Sequence, residues 1–238
     1  MIILSKHRPR SVGSDRVFSC LVFILSVFVL LIILLPLIYV VSASFSSPSA
    51  IINNEIRLLP KGFNFDAYKK VMSDAAILTG YRNTIFYAVL GTAINMLMTI
   101  AIAYPLSKKN FRGRGILTVM CMITMFFSGG MIPTFLVIKE IGLYNSYWAL
   151  LLPKALSVWN MFLLRNYFQN SIAPELIESA QVDGASEFRI LWQIVLPLSK
   201  SILAVLVIFY VVGHCNAYFD AILYLDKAEL YPLQVILR

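Results

Sequence analysis

Charge is scarce in this 238-residue chain: Asp, Glu, Lys and Arg together make up 13% of it, against 59% hydrophobic residues. Mean hydropathy is +0.79. A soluble domain has too little interior to hide that share of apolar surface. Histidine occurs twice and cysteine three times. So few imidazoles and thiols leave no zinc-type cluster and no nucleophile–His–acid set, and no catalytic residue, metal site or cofactor is expected. Cys20, Cys121 and Cys215 each fall inside an apolar stretch without pairing spacing, and read as small packing residues. The G-x-x-x-x-G-K-[ST] loop is missing, so the chain has no nucleotide-hydrolysing chemistry of its own. The net charge is +8, but the basic residues gather at the ends of apolar runs. No basic stripe with interleaved aromatics exists, and nucleic acid is not an expected partner.

What is present is apolar length. Val17–Asn54, Asn83–Ser107 and Gly115–Ile138 are free of charge, each longer than the ~20 residues that cross a bilayer. Ile141–Leu164 is interrupted only by Lys154, and Ser201–Phe219 holds only His214 as an ionisable group. Continuous runs without period-two alternation favour helices over a barrel. The expected fold is all-α: a polytopic transmembrane helical bundle of about five spans in the lipid bilayer of the cell membrane. Val17–Val41 is too long for the ~7–15-residue core of a signal peptide and reads as a retained first span, with Pro36 a site of bending. The segments 1–16 and 107–114 carry four basic residues each, which puts the N-terminus in the cytoplasm and makes 1–16 a basic cytoplasmic tail.

Between the fourth and fifth apolar runs lies a polar island, Pro174–Pro197, which this orientation also places inside the cell. Pro174 suits the first turn of a helix, and Glu175 and Glu178 complement its positive end. Leu176, Ile177 and Ala180 form one narrow apolar ridge. Asp183-Gly184 stops the helix, with glycine free to take the left-handed conformation. A second helix is expected from the cap Ser186, turning Phe188, Leu191, Trp192 and Val195 toward the membrane and ending at Pro197. The product is a rigid knob of two short helices.

Glu178-Ser179-Ala180, Asp183-Gly184 and, nine residues on, Ile194-Val195-Leu196-Pro197 resemble the E-A-A, three residues, G, nine residues, I-x-L-P signature of ABC-importer permeases. Ser179 stands where that family usually has Ala. The resemblance implies that 17–238 is a transmembrane domain with a cytoplasmic coupling helix pair at 174–197. Glu178, Ala180, Asp183, Gly184, Ile194, Leu196 and Pro197 would be the residues gripped by a separate ATP-hydrolysing subunit. LLPKGFNFDAYKKV after the first span and MFFSGGMIPTFLVIKEIGL in the third resemble the carbohydrate-uptake subgroup related to the maltose importer's second permease. The implied partners are a second permease, paired ATPase subunits, an extracellular solute-binding protein and a carbohydrate substrate. The family has six spans, generally with Trp at the position of Cys215, so the resemblance implies that a last span is missing.

Candidate transport-path residues are Trp159 and Asn160, which offer ring stacking and hydrogen bonding, and His214 and Asn216 near the end of the fifth run. Asn160 equally suits helix-to-helix bonding. Lys154 either snorkels outward or faces the path, since a charge at mid-membrane costs at least ~2.5 kcal/mol. Ser128-Gly129-Gly130 and Pro133 in the third span fit close helix packing or a backbone opened toward a cavity, with packing favoured. The rivals are an importer for another solute, a non-functional membrane fragment, and a secondary transporter. The last needs ionisable pairs within the spans, for which only Lys154 and His214 are candidates.

Overall fold

The computed structural model describes residues 13–238, and no strand occurs among them. The basic tail expected at 1–16 lies almost wholly outside the described residues. The chain divides into two compact units, 1–74 and 75–238.

The first unit is built on α1 (Gly13–Ser44), which runs on through Pro36. Short helices α2 (Pro48–Ile52) and α3 (Asp66–Ser73) follow. The segment after α1 folds back on that helix's C-terminal end. Ser42 Oγ donates to Leu58 O at 2.7 Å, Asn64 N to Phe45 O at 3.0 Å, and the Phe45 ring stacks on Phe63 and Tyr68.

The second unit is organised by α4 (Ala75–Ser107), 33 residues long. Its buried residues include Asn83, Tyr87, Gly91, Asn95, Thr99 and Ala103, a stripe repeating about every four positions. The buried face is therefore the small and polar one. That is the arrangement expected where lipid is as apolar as any side chain and helices associate through close contact and hydrogen bonds. Around the C-terminal half of α4 a core forms from Ala103, Tyr104 and Leu106 with residues of α8 (Val158–Asn170) and of the two helices beyond residue 186. Around its N-terminal half a second core gathers Tyr87, Leu150, Leu151, Ala221 and Tyr224. There Asn83 donates to the carbonyls of Glu229 and Tyr231 at 2.6 and 3.0 Å, and Leu233 N donates to Thr84 Oγ1 at 2.9 Å.

Two expected spans are not single helices. The third is α5 (Arg114–Phe126) and α6 (Met131–Glu140), bent by 113° across residues 127–130. Gly130 has φ +86°, and a Cβ built on it meets nothing within 4 Å. The glycines therefore lie in an opened stretch of backbone between two helices, with no close helix contact among the described residues of this chain. The fourth run, 141–164, forms α7 (Trp148–Leu151), a turn, and then α8. Pro153 lacks an N–H and disfavours helix at the residue before it, and Ser157 restarts the helix by accepting from Asn160 N at 3.4 Å. Lys154 accordingly sits in a turn. After α8 come α9 (Pro174–Val182), α10 (Glu187–Leu198), α11 (Lys200–Cys215), α12 (Tyr218–Tyr224) and α13 (Leu233–Ile236). Among the described residues two helices are long and apolar enough to cross a membrane, Arg16–Ser44 and Ala75–Ser107, or up to four if each bent pair is one span.

Candidate functional site

The polar island forms two helices and a tight link. Pro174 occupies the first turn of α9. The helix closes on Asp183, and Gly184 follows at φ +76°. Gly184 N donates to Gln181 O at 3.0 Å and Ala185 N to Ala180 O at 2.9 Å. This paired closure is a Schellman motif and consumes the carbonyls left over at the helix end. Ser186 then caps α10, accepting from Arg189 N at 3.4 Å.

α10 departs from the expected helix in two ways. Its middle, Leu191–Val195, is a π-helical turn, and the helix continues through Pro197 to Leu198. A proline ring clashes with the carbonyl four residues back, and the wider turn just before Pro197 relieves that clash, so proline does not end the helix. The chain turns at Ser199, and α11 leaves at 83°. The face expected to point one way also splits in two. Ile190 and Val195 are fully buried, and Leu191 packs beside them. Phe188 and Trp192 remain 73% and 63% exposed.

Glu187 ties the knob to the bundle. Its carboxylate accepts from Tyr104 Oη of α4 and from Gln181 Nε2 of α9 at 3.0 Å, and pairs with Lys108 Nζ at 3.1 Å. Burial pushes its carboxyl up, but the hydrogen bonds from Tyr104, Lys108 and Gln181 and the Lys108 charge outweigh that and hold it below its ordinary value. The last carbonyls of α4 are taken by α8: Arg165 Nε donates to Leu106 O at 3.0 Å and Gln169 Nε2 to Ser107 O at 3.1 Å. Arg165 is thus a helix-end clamp in addition to a basic residue at a span end.

Between α9 and α10 opens a cleft of about 430 Å³ lined by Leu176, Ala180, Asp183, Ile194 and Pro197. Four of the seven residues expected to meet a partner line it. Leu196 is instead half-buried in the bundle core, and Glu178 and Gly184 are exposed outside the lining. Of the expected ridge, Leu176 is exposed while Ile177 and Ala180 pack partly against the core.

The candidate path residues fall into separate groups. His214 Nε2 meets Asn95 Oδ1 at 2.7 Å, and its ring lies on Gly91, where an added Cβ would sit 2.4 Å away. Asn95 Nδ2 also donates to the Lys154 carbonyl, and the Lys154 ammonium pairs with Asp220. The cation is therefore held by an acid of α12, which neither reading of Lys154 foresaw. Asn216 spends its amide on Val212 O at 2.9 Å. On α8 Trp159 is exposed and Asn160 buried. Asn95, a polar residue inside the run Asn83–Ser107, carries a sequence signal of its own, whereas Asp220 lies just past the run Ser201–Phe219 and carries none. Beside this region, Gly129, Pro133, Thr134, Leu152 and Pro153 line an open cavity of about 510 Å³ at the two helix breaks.

Comparison with known proteins gives concordant results. Residues 75–219 match the family model described as binding-protein-dependent transport system inner membrane component. The chain is 42% identical to protein LplC of Bacillus subtilis (strain 168) over 207 residues, covering 87% of this chain and 70% of that protein. It is 42% identical over 224 residues to the polygalacturonan/rhamnogalacturonan transport system permease protein YtcP of the same organism, covering 94% and 78%. A crystal structure of a bacterial ABC transporter involved in the import of the acidic polysaccharide alginate superposes with a TM-score of 0.92 at 38% identity, over 96% of this chain and 81% of that one.

Proposed function

Since the chain belongs to the binding-protein-dependent transport system inner membrane component family, we propose that it is the permease subunit of an ATP-driven importer carrying a sugar or oligosaccharide into the cell. It is a membrane transport subunit and not an enzyme; separate subunits hydrolyse the ATP. In this reading its N-terminus and the tail 1–16 are cytoplasmic, and 17–238 is the transmembrane domain. Its partners are a second permease, paired ATPase subunits and an extracellular solute-binding protein. The carbohydrate cargo is supported by the relatives, whose names specify polysaccharide and oligosaccharide transport systems.

The observation that carries the mechanism is the knob itself. α9 is closed by a Schellman motif, α10 is capped by Ser186, and Glu187 joins both to the end of α4. A part gripped at the cleft between α9 and α10 therefore passes its displacement to the bundle without bending at the link. In this role the exposed Glu178 and the cleft residues Ala180, Asp183, Ile194 and Pro197 meet the ATPase, Gly184 sets the link, and Leu196 seats α10 on the bundle core. ATP-driven closure of the ATPase pair is then coupled to the access of the path, where Trp159, Asn160, His214 and Asn216 lie. The test is uptake of a labelled oligosaccharide into proteoliposomes holding the four membrane and ATPase subunits. Uptake is expected only with ATP on the ATPase side and the binding protein on the other. Uptake driven by an ion gradient without the ATPase subunits overturns the proposal.

A further inference from the structure

α10 lies at 83° to α11, with a single residue, Ser199, between them. α11 is the apolar helix that enters the bilayer, so a helix at a right angle to its first turn runs along the membrane surface. Three faces of α10 have different surroundings. Ile190 and Val195 are buried in the bundle. Ile194 and Pro197 line the cleft beside α9. The remaining flank carries Phe188 and Trp192, four positions apart, with ring centroids 6.2 Å apart and planes within 8°. Both rings are mostly exposed. Arg189, the next residue after Phe188, donates from Nε to Gln193 Oε1 at 2.9 Å, and Gln193 lines the cleft.

A helix in the membrane plane with a buried face, a flat aromatic flank and a basic residue has the chemistry of an interfacial segment, in which Trp and Phe settle at the headgroup boundary. Neither Phe188 nor Trp192 lines the cleft.

We infer that Phe188 and Trp192 are seated in the headgroup–acyl boundary of the cytoplasmic leaflet and anchor the coupling knob to the bilayer. The inference rests on reading α9 and α10 as the cytoplasmic coupling segment. The lipid contact fixes the height of the knob, so that force applied at the cleft tilts the bundle and does not sink or lift α10.

The experiment uses the complete importer in nanodiscs and takes the Trp192 emission as the difference between the wild type and Trp192→Phe. Lipids brominated just below the headgroup should quench that component more strongly than lipids brominated near the chain end, and aqueous iodide should quench it little. The pattern should be the same with and without bound ATPase subunits. Efficient iodide quenching with no bromolipid effect would mean a water-facing pair. Bromolipid quenching that vanishes when the ATPase subunits bind would mean that they, and not lipid, cover the flank. Insensitivity to both quenchers would mean burial by the second permease. Each of these overturns the inference. Phe188→Trp supplies a second probe, gaining a bromolipid-quenched component, should Trp192→Phe assemble poorly. Co-purification of the ATPase subunits, scored on the same preparations, reports on the coupling reading separately, because it does not depend on which surface quenches Trp192.

Discussion

Gly184 has φ +76°, a conformation that a β-branched side chain resists strongly and asparagine tolerates. No neighbour stands within 4 Å of a Cβ built there, so any penalty comes from the backbone alone. Gly184→Val should therefore lower ATPase co-purification and uptake by several-fold while membrane insertion is unchanged, and Gly184→Asn should retain most of both. Equal behaviour of the two variants would contradict a backbone role. Glu187 yields a pH prediction. Its carboxyl is held below its ordinary value, so the tie adds stability at neutral pH, down through the ordinary glutamate range near about 4.3, and loses it as pH falls through the depressed folded value. Melting midpoints of the wild type and Glu187→Gln should differ by a constant amount at neutral pH and converge only in acid. The two residues differ in legibility. Gly184 follows from a local rule about helix ends, whereas Glu187 takes its meaning from Tyr104 on a distant helix and from Lys108 just past its end, and no local pattern signals that pairing.

At the scale of elements, composition marks where apolar segments lie but not whether each is one helix. The run 141–164 reads as a span because its average is apolar, yet Pro153 and the cap Ser157 divide it, and these local signals were outweighed by the average. The 127–130 break is legible in Gly129, Gly130 and Pro133, which suit either close packing or an opened backbone, and composition alone does not separate the two. The turn that holds Lys154 is joined to α12 by the ion pair with Asp220. Neutralising one partner leaves a lone charge in the membrane domain, at a cost of at least ~2.5 kcal/mol at mid-membrane. Lys154→Met and Asp220→Asn should each reduce the amount of assembled transporter, and the exchange Lys154→Asp with Asp220→Lys should recover much of it. Assembly is read by size-exclusion chromatography, and an exchange variant no better than the single ones would mean that the pair is incidental.

For the whole molecule, orientation is the property on which the proposed function most depends. With Cys20, Cys121 and Cys215 replaced, a cysteine at Ser186 should react with a membrane-impermeant maleimide in inside-out vesicles and stay unlabelled in intact cells. The opposite result reverses the topology and removes the coupling segment from the ATPase side. The 33-residue α4 is held at both ends, by Glu187, Arg165 and Gln169 at one and by the 229–233 segment at the other. At about 1.5 Å per residue it is roughly 50 Å long. Such a rod works as a lever. A tilt of roughly 5° set by the knob displaces the far end by about 4 Å, given that length. Because Asn83, Thr84 and Tyr87 grip the 229–233 backbone there, the displacement is delivered to that segment and not dissipated in side-chain motion. Under the proposed coupling, the stroke is set by the length of one helix, and shortening α4 by a turn should reduce it in proportion.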